Sequence, residues 1–469
     1  MIADKLAIDI CRQKSYNYNE KYFVACGHKN LSKDDIWFKI GCSVTLPGKE
    51  RIMEFFEFSP EVERAAENAM KKCAERFAEL DELCDYNGRR VLRAFIDNRV
   101  SEMHLKGTTG YGYGDEGRDK LDAVFAQVMG AEDALVRHNF VNGTHAIVTA
   151  LFGILRNGDK ILFTTGMPYD TIQEAVFGEN VGSLLDYGVT STVVKLDENG
   201  LPDYEKISEN AKGCKAAYIQ RSRGYSLRPS FDIDTIEKII KAVKSVNPEC
   251  IVLVDNCYGE LVEKREPTAV GADLIVGSLI KNLGGGIAET GGYIAGRADL
   301  IEQCAYRLTT PGAGKEVGCS LNQSRGMYLG LFHAPEAVCA ALKTSVFAAA
   351  LFEEFGYEVF PRYNEKRTDI IAAIKLNGAE ELIRFCEGIQ SGSPVDSSAM
   401  PEPWDMPGYD SKVIMAAGAF TMGASIELSA DAPLREPFAA WVQGGLTFST
   451  GKTGIMLAAE RILKGRKNG

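Results

Sequence analysis

The sequence predicts an α/β fold, a mainly parallel sheet covered by helices on both faces, with a smaller α+β domain at the C-terminal end. Three observations carry this. From Ala134 to about residue 297, short apolar runs alternate with helical stretches, the rhythm of repeated strand–helix–strand units. After residue 310 that rhythm gives way to a long helical stretch and then to short mixed segments, as expected of a second domain with its own sheet. With 469 residues and 45% hydrophobic content, the chain is also long and apolar enough for more than one domain.

In chain order, residues 1–52 show no sustained periodicity. They read as an N-terminal extension of unknown role, with upstream translation before Met53 as the alternative. Residues 53–118 hold helices and a loop. Ser59 suits an N-cap with Pro60 at the first helical position, and Asn87-Gly88 predicts a break dividing 59–99 into two helices. In the loop GTTGYGYGDEGR (107–118), Gly112, Gly114 and Gly117 satisfy G-x-G-x-x-G. The stretch before it is polar and glycine-broken, so the fingerprint lacks the strand that a dinucleotide site needs. Tyr111, Tyr113 and Arg118 on such a loop suit contact with an anion or a neighbouring subunit; an ordinary glycine-rich surface loop is the plain alternative.

Residues 119–310 form the predicted large domain. ALVRHNFV, KILFTTG, TSTVVKL, KAAYIQ, CIVLVDN, DLIVG and GGYIAG read as strands, and IDTIEKIIKAVKSVN is the clearest helix between them. Residues 311–469 form the predicted small domain, helical to about 355 and mixed beyond, with a Pro- and Ser-rich loop at 393–410.

The bulk numbers narrow the function classes. A net charge of -11 with no basic stripe argues against nucleic acid as a partner. Twelve scattered cysteines without a C-x-x-C pair, several in apolar runs, point to a reducing cytoplasm rather than a disulfide scaffold. The five histidines show no metal-ligand spacing, so no metal is expected. No secretory segment opens the chain and no apolar run is long enough to span a bilayer, so no membrane is expected.

In a sheet of this kind ligands bind beyond the carboxyl ends of the strands, and four strand ends carry reactive or polar residues. After ALVRHNFV, the start of a helix at Asn142-Gly143-Thr144-His145 offers free N–H groups and a hydroxyl to an anion such as a phosphate. After KILFTTG comes Tyr169, able to stack on a planar ring and to move a proton. Asp255 ends the run CIVLV, where a buried carboxylate calls for a cationic partner such as a ring nitrogen. Lys281 follows DLIVG and precedes Gly284-Gly285-Gly286, which would leave room for a flat cofactor beside the backbone. Taken singly, each has an ordinary reading: an N-cap, a packing tyrosine, a turn aspartate, a surface lysine. Together, a phosphate cradle, a stacking aromatic, an aspartate for a pyridinium and a lysine amine describe a site for pyridoxal 5'-phosphate.

The order NGTHA, MPYDT, VDNCYGE, GSLIKNLGGG, GGYIAG resembles the fold-type-I pyridoxal-phosphate enzymes. It is most similar to the methionine gamma-lyase/cystathionine lyase-like group of aluminium-resistance proteins, from Met53 to the C-terminus. The resemblance implies the pyridoxal-phosphate-dependent transferase fold and a carbon-sulfur lyase of sulfur amino-acid metabolism. By it, Lys281 would bond the cofactor, Asp255 would hold the pyridine nitrogen and Tyr169 would stack on the ring, all three as catalytic residues. Gly143, Thr144 and Ser278 would contact the phosphate, and Tyr111, Tyr113 and Arg118 would reach a neighbouring subunit's phosphate in a homodimer or homotetramer. The chain departs from the family at Asn142, where related chains commonly have Ser, and in the context of Tyr169. The second departure bears on substrate identity.

For the carboxylate of an amino-acid substrate, a bidentate arginine is expected, with Arg435 first and Arg221 and Arg223 as alternatives. The expected reaction is β- or γ-elimination from methionine, cystathionine or cysteine. Other reactions of the same cofactor (aldol cleavage, transamination, racemisation) and cofactor binding without turnover would use the same cofactor residues.

Overall fold

Seven of the apolar runs pair into one sheet. They are β1 (Asp133–Arg137), β2 (Lys160–Phe163), β3 (Thr190–Val193), β4 (Ala216–Gln220), β5 (Ile251–Asp255), β6 (Leu274–Ser278) and β7 (Gly292–Gly296), in the order β1-β7-β6-β5-β4-β2-β3. The structure, a computed structural model, describes residues 55–405 and 411–468, so the predicted N-terminal extension and residues 406–410 of the Pro/Ser-rich loop lie outside the described residues. The chain divides into two units, Met1–Glu57 and Phe58–Gly469, and this architecture is that of the second.

The pairs β2–β3, β2–β4, β4–β5 and β5–β6 are parallel, whereas β7 runs against both β1 and β6. Every residue of β4, β5, β6 and β7 is buried, as central strands covered on both faces must be, while β3 forms a partly exposed edge. The predicted mainly parallel α/β sheet is therefore present. Register places Gln220 opposite Asp255, and Asp255 opposite Val276, so the ends of β4, β5 and β6 share one edge.

A second sheet follows: β8 (Glu358–Phe360), β9 (Ala372–Lys375), β10 (Val413–Ala416), β11 (Ser429–Pro433) and β12 (Ala439–Gln443), antiparallel throughout in the order β10-β11-β12-β9-β8. Helix Ala379–Ser391 packs on β10 and β11 and against the last helix, Phe448–Asn468.

Two helices differ from expectation. Ser59 does cap a helix with Pro60 at its first position, but Pro60–Asp97 is one continuous helix rather than two. Asn87 is buried within it and donates from Nδ2 to the Leu261 carbonyl at 2.8 Å, so tertiary contact overrides the Asn-Gly turn preference. Ser324–Glu354 is long and apolar enough to cross a bilayer, against the expectation of no such run. Yet 89% of its apolar window is buried in protein, much of it against Pro60–Asp97, as suits a core helix.

Candidate active site

The strand ends on the β4–β6 edge open into a cavity with about 190 Å³ of room. It is lined from the first sheet by Gly143, Thr144, Tyr169, Asp255, Ser278 and Lys281, so six of the expected residues converge on one place.

Each is positioned by its element. Asn142 accepts from the His145 N–H at 2.8 Å and caps helix Gly143–Ile154, whose first turn faces the cavity. A Cβ on Gly143 would sit 3.3 Å from Ser278 Cβ and 3.5 Å from Cys257 Sγ, so a side chain here would crowd the end of β6. Thr144 and Thr171 hydroxyls lie 2.7 Å apart. Tyr169 precedes helix Asp170–Phe177 and packs edge-on to Tyr225.

Asp255 is the last residue of β5 and is buried. Its carboxylate accepts from the Cys257 N–H at 3.1 Å and the Tyr218 hydroxyl at 3.2 Å. Burial pushes its carboxyl above the usual aspartate value, against these hydrogen bonds and the charge of Lys281. Lys281 stands three residues beyond β6, its Nζ 3.2 Å from Ser425 Oγ and 3.9 Å above the centre of the Tyr258 ring. Burial works against its ammonium, but attraction by Tyr258, Cys257 and Asp255 prevails and holds its pKa above the ordinary lysine value.

These groups fit pyridoxal phosphate by the chemistry of the donor set. A helix start offers N–H groups and a hydroxyl, a buried carboxylate ends the neighbouring strand, and a primary amine lies in the same cavity. Asp255, deep and without an arginine beside it in the cavity lining, is the kind of carboxylate that a protonated ring nitrogen would neutralise.

Other expectations fare differently. Arg118 is buried and committed within its own chain, donating to the carbonyls of Gly112 and Gly318 at 2.9 Å and pairing with Asp119. These bonds tie the glycine loop to the chain at Gly318. Tyr111 and Tyr113 are exposed and stack on each other. A Cβ on Gly112 would collide with the Cys319 backbone, so this glycine serves loop packing.

None of the three arginines lines the cavity. Arg221 is fully buried, bonded to Asn256, the Gly259 carbonyl and Glu263. Arg223 bonds Ser230 and the Phe360 carbonyl and lies 3.8 Å from Asp369. Their neighbours Ser222 and Gly224, in the bend and turn that follow β4, line the cavity instead. Arg435 sits exposed in the turn between β11 and β12. Nor do Gly284–Gly286 make room for a cofactor: a Cβ on Gly285 would strike the Gly330 carbonyl of the long apolar helix, and one on Gly286 would strike Leu446. Their role is close backbone packing.

The remaining walls are residues that sequence reasoning missed: Tyr258 and Cys257 just after β5, Tyr225, and Ile371, Asp431, Trp441 and Gln443 from the second sheet and its approach. Tyr258 had a signal, lying three residues past the candidate Asp255. The second-sheet residues had none, because nothing local shows that β11 and β12 face Lys281.

Residues 62–463 match the family model described as methionine gamma-lyase. The chain is 48% identical over 391 residues to the uncharacterized protein YnbB of Bacillus subtilis strain 168, covering 82% of this chain and 93% of that one. Among solved structures, a carbon-sulfur lyase involved in aluminum resistance from Clostridium novyi NT superposes with a TM-score of 0.83 at 49% identity, over 86% of this chain and 96% of that one. The pyridoxal-5'-phosphate dependent protein YhfS of Escherichia coli matches in fold alone, with a TM-score of 0.54 at 17% identity over 82% of this chain and 97% of that one.

Proposed function

The chain belongs to the methionine gamma-lyase family, and from that premise we propose that it is a pyridoxal-phosphate-dependent carbon-sulfur lyase acting on a sulfur amino acid. The observation that carries the reading is the convergence of Lys281, Asp255 and the start of helix Gly143–Ile154 on one cavity.

When bound, pyridoxal phosphate supplies a sink for the electron pair left at the substrate's Cα. Around it each residue has a stated task. Lys281 would anchor the cofactor through its amine and, once displaced by the substrate amine, accept the Cα proton at Nζ. The Asp255 carboxylate would keep the ring nitrogen protonated. Free N–H groups of the helix start, with Thr144 and Ser278, would bind the phosphate. Tyr169 would cover the ring and is placed, with Lys281, to pass a proton to the departing sulfur.

Two measurements test this. The purified protein should be yellow, and Lys281→Ala should abolish the visible band; a colourless wild-type protein that gains no band with added cofactor would refute the cofactor reading. Methionine, cystathionine and cysteine should then be offered, scoring thiol, 2-keto acid and ammonia. A yellow protein that converts an amino acid without releasing a thiol would overturn the lyase reading and leave the cofactor site standing.

A further inference from the structure

Tyr258 stands in a backbone conformation that bulky residues rarely take. It is the third residue of a turn in which the Gly259 N–H donates to the Asn256 carbonyl at 2.9 Å, and its φ is 72°. Glycine or asparagine ordinarily fills such a position, because a larger side chain crowds its own backbone. A tyrosine held there at a cost points to a use for the side chain itself.

The ring of Tyr258 lies against the Lys281 amine, with Nζ 3.9 Å from its centre. Its hydroxyl is 3.2 Å from the hydroxyl of Ser425, to which Lys281 Nζ donates at 3.2 Å. The amine is thus held between a ring face just past β5 and a hydroxyl from the stretch before β11. A ring face attracts an ammonium but does little for a neutral amine, and it does so more strongly away from water. Other groups act on the same nitrogen. Burial opposes its charge, while Cys257 and Asp255 at the end of β5 and Asp431 on β11 favour it. Tyr169 and Tyr225 add two further phenols to the cavity lining.

We propose that Tyr258 is a positioning residue for Lys281: its ring face is the resting place of the Lys281 ammonium, and a strained turn is kept to put it there. The role rests on the reading of Lys281 as the amine that serves pyridoxal phosphate. In that reaction the Cα–H bond breaks, its electron pair stays with the carbon and is taken up by the cofactor, and the proton goes to Nζ. The ring then faces the charge that this transfer creates, and it favours the transfer by making Nζ more basic.

The test reads the ionisation of Lys281 without turnover. In the cofactor-free full chain carrying lysine labelled with carbon-13 at Cε, the Lys281 resonance is identified by its loss in Lys281→Ala and followed by NMR as pH is raised. Tyr258→Leu and Tyr258→Met keep apolar bulk without a ring face, whereas Tyr258→Phe keeps the face and drops the hydroxyl. The surrounding carboxylates are the same in all four proteins, so the comparison isolates the ring. The acid-dissociation constant of Lys281 should rise about 3- to 30-fold in the Leu and Met variants and stay within about twofold of wild type in the Phe variant. At neutral pH the Leu and Met variants should also gain the visible band faster than wild type when pyridoxal phosphate is added, the opposite of what a merely damaged site would do. An unchanged constant in a Leu or Met variant that keeps a cooperative urea transition overturns the inference, and so does a Phe variant that follows the other two. Proteins that show the expected constants yet gain no band sink the cofactor reading and leave the hold of Tyr258 on Lys281 standing.

Discussion

Asp255 illustrates what one residue can be asked to do. It ends a strand whose five residues are all buried, and its two oxygens are fixed by the Cys257 N–H and the Tyr218 hydroxyl. An amide of the same shape could not hold a proton on a ring nitrogen. Asp255→Asn is therefore expected to keep the visible band and lose turnover on the order of 10²- to 10³-fold, as when a preorganised electrostatic partner is removed from a developing charge. Steady-state rates beside the absorption spectrum check this; unchanged turnover with the band intact would take Asp255 out of that role. Asp255 and Lys281 could be read from sequence because one ends an apolar strand, the other closely follows the next, and together with two further strand ends they fit one cofactor. Asp431 ends no such run, and its place in the cavity lining appears only once the second sheet is in view.

At the scale of elements, the sequence located strands well and helix ends less well. Asn87-Gly88 has the local chemistry of a turn, yet Pro60–Asp97 runs straight through it, because Asn87 satisfies a carbonyl from a distant loop. Replacing Asn87 with Ala removes that donor and leaves the Leu261 carbonyl buried without it, so the variant should lose about 1–3 kcal/mol of stability. A denaturant midpoint indistinguishable from wild type would show that the bond is dispensable. The three glycines after Lys281 were misread for a related reason. Glycine signals close approach but not by what, and here the approaching body is the long helix, together with Leu446.

The whole molecule keeps several acids in its interior, and one gives stability a pH dependence. Glu260 is fully buried, with one oxygen accepting from the Tyr293 hydroxyl at 3.0 Å and the other without a hydrogen-bond partner among the described residues. Burial pushes its carboxyl up to about 8, reinforced by the nearby charges of Glu266 and Asp255 and opposed by its own backbone N–H and by Tyr293. The folded chain then carries a proton that the unfolded chain releases near the ordinary value of 4.5, so stability is highest below that value. It falls as pH rises toward about 8 and, as far as this group is concerned, levels off above. Glu260→Gln should remove that slope, so urea midpoints of variant and wild type should diverge in the variant's favour as pH rises from 5 to 8, about the span over which the proton is lost. A constant difference across the window would mean Glu260 is ionised throughout in the fold.

By itself the sequence determined the alternation of strand and helix, the ends of β1, β2, β5 and β6 as the place to look, and Lys281, Asp255, Tyr169 and the start of helix Gly143–Ile154 as residues meeting there. Those are consequences of local pattern combined with a rule about where parallel sheets bind ligands. Only the tertiary structure decided that Arg118, Arg221 and Arg223 spend their charges inside the protein, that Arg435 stays in an exposed turn, and that the second sheet brings Asp431 and Gln443 to the cavity instead. An arginine looks the same in sequence whether it clamps a ligand or a carbonyl; which it does depends on the distant backbone folded against it.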